Sequence, residues 1–116
     1  MTKHITPAEI CRNVPDNLRE DTLELAENVE FMRKKLEETR KGLTKQQVVI
    51  AYDNGGGQKG IRENPAFKGY HSLLTSYRKS IETLAAILRE SGESARDEDS
   101  PLARILAKAK TVLENA

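Results

Sequence analysis

The stretch NPAFKGYHSLLTSYRKSIETLAAIL, residues 64–88, decides the fold. Asn64 suits a helix N-cap, because its short side chain can accept a hydrogen bond from a free first-turn amide. Pro65 suits the first helical position, where an amide would have no partner. From there Phe67, Tyr70, Leu74, Tyr77, Ile81, Leu84 and Leu88 are spaced alternately three and four apart. That is a heptad seam, which places all seven on one side of a helix. Gly92 is the expected end of this helix, since glycine accepts the left-handed conformation that closes a last turn.

Working back toward the N-terminus, residues 16–41 lack Gly and Pro and are rich in Leu, Glu, Lys and Arg. Leu18, Thr22, Leu25, Val29, Met32, Leu36, Thr39 and Leu43 are spaced alternately four and three apart, a second and lighter seam. The predicted helix is roughly 40 Å long at 1.5 Å per residue. Asp16, Glu20, Asp21, Glu24 and Glu27 make its first part acidic, and Arg33, Lys34, Lys35, Arg40 and Lys41 make its last part basic. This polarity complements the helix dipole. Gly42 is the expected stop.

Between the helices, Val48, Val49, Ile50 and Tyr52 are β-branched or aromatic, and Asp53-Asn54-Gly55-Gly56-Gly57 is a turn signal. A β-hairpin over about residues 47–62 follows, with a short return strand from Lys59 to Arg62. Such a strand pair is too small to be stable alone and must pack on a neighbouring element or subunit. Two helices of similar length joined this way are expected to fold back antiparallel.

The flanks are shorter. Residues 1–15 read as an N-terminal arm with one short helix. Its start is Thr6-Pro7-Ala8-Glu9, a capping box with proline at the first position. Residues 93–116 read as an acidic linker and a third helix opened by Ser100-Pro101. Leu102, Ile105, Leu106, Ala109, Val112 and Leu113 give that helix an apolar face, with Arg104, Lys108 and Lys110 largely on the other. The apolar face must dock either on its own hairpin or on a partner chain. The predicted fold is therefore mainly α: residues 16–92 form a long antiparallel helical hairpin with a small β-hairpin at the tip, followed by a short C-terminal amphipathic helix.

Composition narrows the function. Of 116 residues only 37% are hydrophobic and 4% aromatic, which supports a thin seam and makes self-assembly a natural way to bury more surface. The net charge of +1 rules out a global basic excess, so any contact with nucleic acid needs a local patch. Cys11 is the only cysteine, which excludes an intrachain disulfide and fits a reducing, cytoplasmic setting. No segment reads as a signal peptide or a membrane span.

No catalytic, cofactor-binding or metal-ligating residues are assigned. Gly55-Gly56-Gly57-Gln58-Lys59-Gly60 lacks the Gly-Lys-Ser/Thr of a phosphate loop and reads as a hairpin tip. Asp53 and Glu63 have no nucleophile or oxyanion donor near them in the sequence. Cys11, His4 and His71 have no zinc-site spacing. The candidate nucleic-acid contacts are Lys59, Arg62 and Lys68 around the tip, with Lys3 and Arg12 as a second group. Lysine and arginine there would contact phosphates and give salt-dependent affinity.

The order of features carries a resemblance. A charged helix ends near Gly42, Val48-Val49-Ile50-Ala51-Tyr52 follows, then a glycine turn and Gly60-Ile61-Arg62-Glu63-Asn64-Pro65-Ala66-Phe67. A long helix closes with Leu84-Ala85-Ala86-Ile87-Leu88. Over about residues 16 to 91 this resembles the small subunit of tailed-phage terminase, in the family often called P-twenty-seven. The resemblance implies a non-enzymatic, ring-forming homo-oligomer that recognises double-stranded viral DNA in the bacterial host cytoplasm. It also implies regulation of a terminase large subunit, which carries the ATPase and nuclease. The segment Glu90-Ser91-Gly92-Glu93-Ser94-Ala95-Arg96 departs from the family's Leu-Thr-Pro-Ser-Ser-Arg pattern. Fifteen N-terminal residues are too few for a helix-turn-helix, so the resemblance implies a ring-forming core whose DNA-reading part is reduced or missing. The rival expectation is a helical interaction module, a regulator or antitoxin-like adaptor without DNA binding, using its third helix to dock in a partner groove.

Overall fold

The structure is a computed structural model and describes residues 5–44, 46, 49–53 and 59–115; for 49–53, 59 and 61–63 it describes the backbone alone. The chain is mainly helical, as expected. Helices α1 (Pro7–Ile10) and α2 (Asp16–Leu43) precede strands β1 (Val49–Asp53) and β2 (Lys59–Glu63), and helices α3 (Pro65–Glu90) and α4 (Pro101–Glu114) follow. The strands pair antiparallel, with Ala51 opposite Ile61 and Asp53 opposite Lys59. The turn expected between them, residues 54–58, lies outside the described residues. The molecule is elongated, 63 × 31 × 18 Å.

The helix starts follow the capping chemistry in the sequence. The Thr6 hydroxyl accepts from the Glu9 amide at 3.2 Å, and the Asn64 side chain accepts from the Ala66 amide at 3.1 Å. Ser100 accepts from Ala103 at 3.0 Å. Each is followed by proline at the first helical position. At the end of α3, Gly92 has φ +90°, the Gly92 amide bonds Arg89 O and the Glu93 amide bonds Leu88 O. This is a Schellman closure, which satisfies carbonyls that the helix leaves open. Gly42 does not stop α2: the helix runs through it to Leu43, and Gly92 is the only described glycine with positive φ.

Helix α2 packs along α3, and α4 packs on α3, α1 and α2. On α3 the buried row is Leu74, Tyr77, Ile81, Leu84 and Leu88, with Phe67 and Tyr70 half-buried toward its start. On α2 the deepest residues are Thr22, Ala26, Val29, Leu36 and Leu43. Leu25 and Met32 are half-buried edge positions, and Leu18 is 43% exposed. The buried face of α2 is therefore rotated from the expected seam toward Ala26, Arg33 and Arg40. The N-terminal segment and α4 together cover that edge: Ile5, Ile10, Ala26, Val29, Tyr77, Ile81 and Ile105 line one small cavity of about 20 Å³.

Residues 5–14 belong to the core. Ile5, Ile10, Cys11 and Val14 are all buried. Helix α4 docks within its own chain, burying Leu102, Ile105, Ala109 and Val112. It is tied at both ends, by Arg104 with Glu9 at 3.7 Å and by Arg40 Nε donating to Asn115 O at 2.9 Å. Arg104 and Lys108, expected on the solvent face, are half-buried because α4 is flanked on that side by α1 and α2. Among the described residues no helix is long and apolar enough to cross a membrane.

Candidate nucleic-acid interface

The strand pair is anchored by a short chain of amides. Asn64 Nδ2 donates to Gln46 Oε1 at 3.1 Å, and Gln46 Nε2 donates to Gly42 O at 3.3 Å. Asn64 thus caps α3 and joins its start to the end of α2. This brings Lys68, exposed in the first turns of α3, to the same end of the molecule as Lys41, exposed in the last turn of α2. The backbone of Lys59 and Arg62 lies in β2, directly before α3; their side chains lie outside the described residues. Lys3 also lies outside them.

Arg12 stands elsewhere. Its guanidinium donates to Asp99 O at 3.4 Å, beside the start of α4 and the end of α3. Helix α3 has 26 residues, so its two ends are about 39 Å apart. Arg12 and Lys68 therefore do not share a surface. The Arg12 end is also acidic, with Asp16, Glu20, Asp21, Asp97 and Glu98 exposed around it.

The result is a charge gradient along the long axis. Lys34, Lys35, Arg40 and Lys41, interleaved with Glu37 and Glu38, lead along α2 toward the strand pair, where Lys68 stands on α3. The sequence showed the cationic half of α2, but only as a complement to the helix dipole. Its position beside the start of α3 is a tertiary fact. Lys41 and Lys34 join the candidate contacts for this reason.

A second charged group lies between helices. Arg33 donates twice to Glu30, one bond at 3.1 Å and one shorter, and once to Glu37 at 2.8 Å. The Glu30 hydrogen bond raises the Arg33 pKa further, against desolvation. Beside it, burial pushes the Tyr77 phenol up to about 12, and burial lowers Lys108. Arg33 takes a core-facing position on α2 and satisfies its charge within one turn on either side. All three bonds lie within α2, so the network stiffens that helix and neutralises Arg33 where it lies beside Tyr77 and Lys108.

Burial also raises the Cys11 thiol, which keeps it protonated and unreactive at neutral pH. Among the described residues no group of three or more His, Cys, Asp or Glu side chains is placed to hold a metal ion. Comparisons with protein-family models, with curated proteins and with solved structures find no match.

Proposed function

We propose that this chain is a non-enzymatic terminase small subunit of the kind its sequence resembles, an oligomeric DNA-contacting regulator of viral packaging in the host cytoplasm. In this reading α2 and α3 form a long antiparallel hairpin, β1 and β2 are its tip, and α4 lies along the hairpin from the other end as far as Arg40. A separate large subunit supplies the ATPase and nuclease. The observation that supports the reading most is the collection of Lys41 and Lys68 at the strand-pair end, with the cationic half of α2 leading to it. One such cluster is a weak field, but a ring of copies repeats it around a circle and makes it strong. Lysines there neutralise phosphates without reading bases, which gives affinity that falls steeply with salt.

The interaction-module reading relied on α4 as the docking helix. Leu102, Ile105, Ala109 and Val112 of α4 are buried in this chain, while Leu106 and Leu113 of the same face are half-buried, so that reading is left with a narrower surface than the sequence offered. Duplex DNA binding by fluorescence anisotropy, over a salt series, separates the two. The terminase reading expects binding at low salt that Lys41→Glu/Lys68→Glu weakens. Affinity unchanged by the double substitution would remove the tip from the account, and no binding at low salt would remove DNA.

A further inference from the structure

Among the described residues the hairpin is covered on one face only. Helix α4 takes the α2 edge that carries Ala26 and Arg33 and the α3 edge that carries Arg78 and Ile81. The opposite edges are open. On α2 this edge runs Asp21, Leu25, Asn28, Met32, Lys35 and Thr39, spaced alternately four and three apart. On α3 it includes Leu73, Ser80 and Ile87, seven apart. A 3.6-residue turn puts each of these rows on a single line along its helix. Leu25, Met32, Leu73 and Ile87 are half-buried at the edge of the core and remain partly open to water.

We infer that this face pairs with the same face of a second copy, with α2 lying antiparallel to the partner's α2. The charges decide both the occupant and the direction. Asp21 and Lys35 are the only charged members of the row from 21 to 39, and each is seven residues from Asn28. An antiparallel pair with its two-fold axis at Asn28 therefore sets Asp21 of each copy against Lys35 of the other. The same register sets Leu25 of each copy near Met32 of the other, so apolar residues meet apolar residues. Lys35 then bridges its own Glu38, at 3.3 Å, and the partner's Asp21. Asp21 has no ion-pair partner among the described residues.

Other pairings fit worse. A parallel α2 pair places Asp21 against Asp21 and Lys35 against Lys35, which repels at both sites. Laying α2 over the partner's α3 leaves Asp21 and Lys35 facing the uncharged row of Leu73, Ser80 and Ile87. The two-fold arrangement is isologous and closes on itself. Helix α2 is 28 residues long, so two helices side by side offer a face of about 800 Å², the size a stable pair buries per partner. The pairing does not depend on DNA. A larger ring that uses this face contains an even number of subunits.

The test uses the full chain, with single cysteines at exposed positions; the native Cys11 is buried and serves as an internal control. Under mild oxidation Asn28→Cys is expected to give a covalent dimer, because residue 28 meets its own copy at the axis. Asp21→Cys alone is expected to stay uncrosslinked, whereas Asp21→Cys mixed with Lys35→Cys gives a dimer. In sedimentation equilibrium, Asp21→Lys or Lys35→Asp is each expected to weaken association roughly tenfold or more, since two attractive contacts become repulsive. Asp21→Lys/Lys35→Asp together restore it. A monomeric wild-type chain, self-crosslinking of Asp21→Cys, or failure of the double reversal to restore association would each overturn the pairing.

Discussion

A carboxylate oxygen of Glu93, the residue just past the glycine that closes α3, accepts the backbone amide of Leu102 in the first turn of α4 at 2.9 Å. The residue that leaves one helix thus caps the next, and Ser100 adds a second anchor by donating to Ser94 O at 2.9 Å. The acidic segment between α3 and α4 is a built corner. Its turns are closed by Asp97 and Ser94, which accept from the Asp99 and Arg96 amides.

This corner fixes where α4 docks. Glu93→Ala removes the cap on Leu102 and is expected to cost about 1 kcal/mol. Glu93→Gln, which keeps an acceptor oxygen, is expected to retain most of that stability. Urea unfolding of the two variants beside wild type reads the difference as a shift in midpoint. Equal midpoints for Glu93→Ala and wild type would mean that the corner does not hold α4.

The rotated core of α2 makes a sharp contrast between two residues. Ala26 is fully buried where α4 crosses, and Leu18 is 43% exposed. Ala26→Leu is expected to overpack the site and destabilise by about 1–3 kcal/mol. Leu18→Ala is expected to cost well under about 1 kcal/mol. The reverse order in thermal unfolding would restore the seam expected from spacing alone.

Tyr77 is 1% exposed, and burial holds its phenol near 12 instead of 10. A group whose folded pKa is raised contributes stability that is complete below the unfolded pKa and is lost as pH rises through the folded one. The fold is therefore expected to lose up to about 3 kcal/mol between pH 10 and 12 through this side chain. Tyr77→Phe has no phenol to ionise, so its loss over the same window should be smaller. Alkaline unfolding curves of the two proteins make the comparison, and identical curves would show that Tyr77 does not set the dependence.

At the strand-pair end, Lys41→Glu and Lys68→Glu are each expected to lower DNA affinity for every duplex sequence alike. Each should also reduce the slope of log affinity against log salt by about 1. Arg12→Glu, at the far end beside Asp99, is expected to leave both unchanged. A loss with Arg12→Glu equal to that with Lys68→Glu would place the DNA elsewhere.

Much of the helical layout was legible because it is local chemistry. Thr6, Asn64 and Ser100 announce their helices by capping, and Gly92 closes α3 through its own backbone. The rest required tertiary information. Spacing alone marked Leu18 and Leu25 as seam, since it cannot tell a helix with one neighbour from a helix with two. The burial of Ala26 and Arg33 needs both the N-terminal residues Ile5 and Ile10 and α4, the latter from more than seventy residues away in the chain. Ile5, Ile10 and Val14 lie in a stretch too short and broken to show a period, so their part in the core was not visible. Of the candidate DNA contacts, Lys68 stands at the basic end and Arg12 at the acidic one. An antiparallel pair of helices already brings Lys41 toward Lys68, and the Asn64–Gln46–Gly42 chain that ties the two ends is the part no linear pattern encodes.

The most direct test is the absolute mass of the purified chain by light scattering after size exclusion, run with and without duplex DNA at low and high salt. The account expects an assembly of several subunits that travels with the DNA at low salt and separates from it as salt rises. Protein that elutes apart from DNA even at low salt would contradict it.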